Sequence, residues 1–180
     1  RTEQQVRDLQ QPGRPGTLLF EPDGSVRSLQ VGDTVRTGPG ETRDVFVGRG
    51  ARQHHLRLNP DSSLEIGEDS ESTFAAHLAH GFARVRAAVK QWSGKFEVRT
   101  PSVAVAVRGT DFAVEVRPDG ERVRVFDGEV AVAPAAGGET VALSAGMQLD
   151  IPASGVWPMP VTFDPAQFPF DDAGAGDAAP

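Results

Sequence analysis

Residues 99–117 read RTPSVAVAVRGTDFAVEVR. Val103, Val105 and Val107 alternate with alanines, and Phe112, Val114 and Val116 alternate with Ala113 and Glu115, the period-two signature of strands. Between the two runs stand Arg108, Gly109, Thr110 and Asp111, polar residues in a stretch otherwise fit for a sheet interior. Two readings follow. In one, Arg108 and Asp111 flank a bend and bind a carboxylate or a partner's loop. In the other, Gly109 takes a special backbone conformation, Thr110 or Asp111 bonds local backbone, and the tetrapeptide is a corner that sets the fold. The second is favoured, because a buried turn must satisfy its own polar groups.

Working outward, Phe112, Val114 and Val116 share a face, as do Val123 and Val125. Directly opposed strand residues point the same way, so an even-length loop is required. A four-residue loop, 117–120, also sets Glu115 against Arg122 on the wet face. Val103–Val107 has nothing polar on either side and reads as a central strand covered on both faces. Similar short runs recur from Thr17–Phe20 to Gln148–Ile151, separated by Asp23-Gly24, Pro39-Gly40, Asp119-Gly120 and Asp127-Gly128. The pattern predicts an all-β fold of many short strands, a β-sandwich or a short β-roll of solenoid type. Residues 72–90 stand apart. Phe74, Leu78, Phe82, Val85 and Val89 recur at helical spacing, which predicts a short helical insert near residues 74–80 and a strand over 82–86. Residues 1–16 read as a flexible lead-in, 17–151 as one β domain, and 152–180 as a Pro/Ala/Asp-rich acidic tail.

The chain has 180 residues and a net charge of −7. Arg124 is the last basic residue; eight acids follow it, whereas the first 124 residues carry 18 basic and 17 acidic groups. Such a balance argues against nucleic acid or anionic lipid as partner. The absence of cysteine excludes disulfides and thiol chemistry and fits an oxidising compartment. No stretch approaches the roughly 18 apolar residues that cross a bilayer as a helix.

No constellation for catalysis or for a cofactor emerges. His77 and His80 would share a helix face, but His54 and His55 on a strand point to opposite sides, and solvated or locally bonded histidines are the better reading, with no metal. Glu65, Glu68, Asp69 and Glu71 lack the ligand spacing of a calcium loop. No Ser/His/Asp set and no carboxylate pair with separated environments is present, so an enzyme is not expected. Arg84, Arg86, Lys90, Lys95 and Arg99, with Trp92 nearby, form a basic stretch. It either contacts a glycan or an acidic partner, the chain's own tail included, or is one wet strand face. Phe168 and Phe170 are apolar anchors in the tail, fit to lie on the domain or to dock on a partner.

Leu29–Gly40, LQVGDTVRTGPG, resembles the opening segment of the FecR domain. Phe96-Glu97-Val98-Arg99-Thr100-Pro101, followed by Val105–Phe112 with its Arg-Gly-Thr-Asp, resembles that family's most specific string. Val125–Val130 and Leu143–Gln148 extend the likeness, which covers residues 17–151. The resemblance implies a non-catalytic all-β domain, periplasmic, at the cell surface or secreted, that serves protein–protein signalling or adhesion in a bacterial envelope. The family's regulators carry an N-terminal anti-sigma segment and a membrane span, and neither is recognisable here. A stand-alone exported protein that binds a protein partner is therefore expected, with a structural subunit joined to its own copies by strand or tail exchange as the alternative.

Overall fold

Three strands change the parity of their buried residues midway, and this shapes the molecule. In β7 (Thr73–Arg86) the core takes Phe74, Ala76 and Leu78, then Ala83 and Val85. In β9 (Val103–Arg117) it takes Val103, Val105 and Val107, then Phe112, Val114 and Val116. In β10 (Gly120–Pro134) it takes Val123 and Val125, then Val130 and Val132. An added residue on one strand produces such a shift, and a bulge of this kind also bends the strand. In the computed structural model, which describes residues 16–49, 52–87 and 94–168, each of the three bends and serves two half-sheets.

The remaining strands are β1 (Gly16–Phe20), β2 (Val26–Leu29), β3 (Thr34–Arg36), β4 (Arg43–Arg49), β5 (Arg52–Leu58), β6 (Ser63–Asp69), β8 (Lys95–Arg99), β11 (Val141–Ser144), β12 (Met147–Pro152) and β13 (Val161–Thr162). They form one 13-stranded sheet. One half runs β3-β6-β7-β8-β9-β10-β11 through the first parts of β7 and β9 and the last part of β10. The other runs β2-β1-β4-β5-β7-β9-β10-β12-β13 through their other parts. The main apolar core draws on both halves; His54 of β5 meets the edge of Phe96 of β8 at 4.8 Å across it. The expected all-β class holds, and the sandwich is closed by strands that turn its corners.

The helix expected near 74–80 is a strand, continuous with 82–86 in β7. Pairing with β6 on one side and β8 on the other supplies partners that local helical spacing cannot, and tertiary pairing overrides weak propensity. Likewise 102–107 and 111–117 are one strand, as are 121–126 and 129–133. The hairpin register matches expectation: Val114 faces Val123, Phe112 faces Val125 and Glu115 faces Arg122. Arg117 also pairs with Gly120, so the turn itself is only Pro118-Asp119. Glu115 is buried rather than wet and bonds Arg117 at 2.6 Å. Val103–Val107 is central within the sheet, between β8 and β10, yet Ala104 and Ala106 are half-exposed, so only its valine face is fully covered.

The corner in β7 rests on Gly81, at φ +99°. A Cβ there would lie 2.2 Å from Ser62 Oγ and 2.4 Å from Ser62 Cα. That contact is what the buried polar groups require: the Phe82 N–H donates to Ser62 Oγ at 2.9 Å, the Ser62 N–H donates to Thr37 Oγ1 at 2.8 Å, and Thr37 Oγ1 donates to the Asn59 carbonyl at 2.7 Å. Gly155 has the same φ of +99° but nothing within 4 Å of its Cβ position. Gly155→Ala should therefore cost about 1 kcal/mol of backbone strain. Gly81→Ala should cost about 1–3 kcal/mol more, from overlap with Ser62. Urea denaturation of both variants measures the difference, and equal costs would show that the Ser62 turn yields freely.

Candidate functional site

The second corner is built from Arg108–Asp111 and Asp127-Gly128. Gly109 sits at φ +53° and Gly128 at φ +84°, and a Cβ on Gly128 would lie 2.5 Å from the Gly109 carbonyl oxygen. The two backbones approach as closely as only glycine permits. Thr110 Oγ1 donates to the Glu129 carbonyl at 2.8 Å, tying β9 to β10 across the bend. Asp111 points to the outer face and takes a bidentate pair from Arg84, Nε at 2.7 Å and Nη2 at 3.0 Å, with Arg86 Nε at 3.6 Å.

From Asp111 the site extends over the outer face of β7, β9, β10 and β12. The Arg84 guanidinium lies 3.5 Å from the Phe126 ring centre, and its Nη1 donates to the Phe168 carbonyl at 2.9 Å. Phe163 and Phe168 meet Phe126 edge-on at 5.3 and 6.2 Å. Phe168 also covers the Arg124 guanidinium, 4.5 Å from its ring centre. Phe168 is brought there by β13, which pairs with β12, and by a 3₁₀ turn, Pro165–Gln167, capped by Asp164. Arg84 and Arg124 are buried although they face outward, and burial chiefly holds the Arg124 pKa below the usual guanidinium value.

The basic stretch does not form one surface. Arg84 is spent on Asp111 and Phe168, and Arg86 is partly exposed beside Asp111. Lys95 lies on β8 in the other half-sheet, exposed and 3.2 Å from Glu97. Lys90, Trp92 and Phe170 lie outside the described residues. Arg124, Phe126 and Phe163 were missed by sequence reasoning. Their signal was phase: Arg124 and Phe126 alternate with the core residues Val123 and Val125, so an aromatic ring is turned outward, where only a covering segment can bury it. The four histidines are dispersed. His54 is in the core, His55 Nε2 is 2.7 Å from Asp44, and His80 Nδ1 is 2.9 Å from the Asp61 carbonyl. Among the described residues, no cluster of three or more His, Asp and Glu is placed to hold a metal.

The sequence model of the family described as "FecR protein" matches residues 33–131. The chain belongs to the FecR family. FecR proteins are a cell-envelope sensing family. Among solved structures, the "putative anti-sigma factor" of Parabacteroides distasonis ATCC 8503, determined at 1.65 and 2.50 Å, is similar in fold. Each gives a TM-score of 0.65 at 19% identity, over 75% of this chain and 62% of that one. The chain thus spans less than two thirds of that neighbour's length. No curated protein matches. No helix among the described residues is long and apolar enough to cross a membrane. The FecR match takes in both corners and ends within β10, before the segment that carries Phe163 and Phe168.

Two tests follow. Asp111→Ala leaves the buried Arg84 without its carboxylate and should cost about 3 kcal/mol. A double-mutant cycle with Arg84→Met should show strong coupling, and additive losses would deny the pair its role. Carboxylates set the response to acid. Burial works against the charge of Asp44, but hydrogen bonds and charge from His55 and Arg57 outweigh it and hold its pKa below the ordinary range. Arg99 and Lys95 do the same for Glu97. Lowered folded pKa values contribute stability above the unfolded value, near pH 4, and lose it as pH falls through the folded values. Denaturation midpoints should therefore drop below about pH 4, and Asp44→Asn should flatten that drop. An unchanged slope in Asp44→Asn would count against this assignment.

Proposed function

We propose that this FecR chain is exported and binds a protein partner in a bacterial envelope, as a module of the periplasm, the cell surface or the secreted fraction. The observation that carries the reading is the FecR match over residues 33–131, joined to an outer sheet face where buried arginines and aromatic rings meet a sheet edge. Buried aromatic and arginine side chains are the groups that dominate protein interfaces. Arg86 and Lys95 are the exposed cations of this reading, and Lys90, Trp92 and Phe170 belong to it as partner-binding residues by sequence alone. Arg84 and Phe168 act within it by holding each other. Arg108, Gly109, Thr110 and Asp111 serve structure: Gly109 and Thr110 make the corner, and Asp111 fixes Arg84 in the face. The working unit is the β domain of residues 17–151, with 152–180 as its accessory segment.

A second reading, a structural subunit joined to its own copies, is favoured by one observation. Val156, Met159 and Val161 are strongly exposed apolar residues within six positions of the chain. Light scattering across concentration decides it, and a strict monomer removes the assembly reading. For the first reading, the chain lacks cysteine, so Arg86→Cys supplies a sole thiol for a cleavable cross-linker in intact cells. One protein adduct, competed by excess wild-type chain and absent from Ser154→Cys, is the expected result. Equal, uncompeted adducts at both positions would overturn partner binding at this face.

A further inference from the structure

The outer face of the second half-sheet carries one cross-strand row whose members differ in how their charges are answered. The register places Asp44, Arg57, Arg84, Ala113, Arg124 and Gln148 side by side on six adjacent strands. Arg57 has Asp44 at 2.9 Å and Arg84 has Asp111 at 2.7 Å. Arg124 is only 6% exposed, yet among the described residues no carboxylate lies within ion-pair distance of it. Its Nε donates to Gln148 Oε1 at 2.8 Å, and the rest of the guanidinium lies under Phe168, with Phe163 at 6.0 Å. A neutral amide and aromatic faces are weaker partners for a buried guanidinium than a carboxylate in bidentate contact. Ala113, in register with both Arg84 and Arg124, places only a buried methyl group between them.

The cover over this row is lightly held. β13 contributes two register pairs to β12, Met147 with Thr162 and Gln148 with Val161, and the Phe163 N–H donates to the Gly146 carbonyl at 3.0 Å. Among the described residues, 153–160 make no backbone hydrogen bond to the domain. Within that linker Val156 and Met159 are 93% and 83% exposed, with Trp157 alone packed toward the core. The cover has an acid of its own, Asp164, but it is spent on capping its own turn through the Ala166 N–H.

We propose that this face is a groove for an extended, carboxylate-bearing segment of a protein partner, and that residues 161–168 occupy it as a stand-in. The proposal rests on the protein-binding reading of the FecR chain given above. The incoming strand adds to the β12 edge as β13 does, its aromatic residue packs on Phe126, and its carboxylate takes Arg124 where the Phe168 ring now lies. Strand addition of this kind draws affinity from main-chain bonds and specificity from side-chain pockets. Charge complementarity selects the partner: the one cation of the row left without an acid is the one that the stand-in covers with a ring.

The test uses the full chain with Met147→Cys and Thr162→Cys, register neighbours whose disulfide ties the cover down and whose reduction frees it. The probes are two fluorescent, carboxy-amidated peptides, Pro-Val-Thr-Phe-Asp-Pro-Ala-Gln-Phe, which copies residues 160–168, and the same peptide with glutamate in the last place. The reduced chain should bind the glutamate peptide at least tenfold more tightly than the phenylalanine peptide, and the oxidised chain should bind neither. Arg124→Gln should abolish the preference while the phenylalanine peptide still binds, which shows the groove intact. No binding to the reduced chain, or equal binding to the oxidised one, overturns the proposal. Disulfide-linked dimers on oxidation would make a second copy the occupant and overturn it too. If the Arg86→Cys adduct forms equally in the locked chain, partner binding stands and the groove assignment falls.

Discussion

Everything in this fold depends on backbones approaching where a side chain would not fit. At Gly81 the β7 strand presses on Ser62, and at Gly128 the β10 strand presses on the Gly109 carbonyl. These contacts let three long strands leave one half-sheet and enter the other without a loop. β7 turns at one end of the sandwich, and β9 and β10 turn at the opposite end. The core is thereby closed at both ends by continuous main chain. The alternative, chain breaks at each corner, would leave more strand ends and more backbone groups to satisfy. Glycine weakens a strand interior by roughly 0.5–1 kcal/mol, and each corner accepts that cost for continuity of the ladder.

The outer face of the second half-sheet follows from the corners. Once the second part of β7 pairs with β5 there, Arg57 and Arg84 are directly opposed, a like-charge pair that destabilises a bare sheet. Asp44 and Asp111 resolve it by answering one guanidinium each. Asp111 reaches Arg84 because Gly109 and Thr110 turn the chain immediately before it, so the polar tetrapeptide serves the bend and the ion pair together. Buried ion pairs of this sort contribute little net stability against apolar replacements, but they penalise every register that leaves one partner alone.

Strand class and hairpin register were legible in the sequence because valine alternation and the even-loop rule act between near neighbours. The helix over 74–80 was misread for a physical reason. A bulge shifts the phase of a strand by one residue, and apolar residues on either side of such a shift fall at spacings that mimic a helical stripe. Leu78 and Phe82 are four apart, yet Leu78 joins the main core cluster and Phe82, though buried, lies outside it. The same shift in β9 and β10 made one strand look like two. The FecR resemblance was legible because the corner residues are chemically specific. The Arg124–Phe126–Phe168 cluster was not, since it joins positions distant in sequence through a segment whose pairing spans two residues.

The C-terminal segment also answers a problem of the fold. Without β13, β12 would present an open edge beside half-buried Met147, a surface prone to pairing with other chains. Two paired residues and two phenylalanines suffice to occupy that edge, and the prolines at 158 and 160 keep the approach from extending the strand further. A longer and better-paired strand would protect the edge more firmly but would also be harder to displace. A short cover that blocks non-specific pairing, over a cation it answers poorly, suits the proposed exchange, in which the edge stays closed until the right segment arrives.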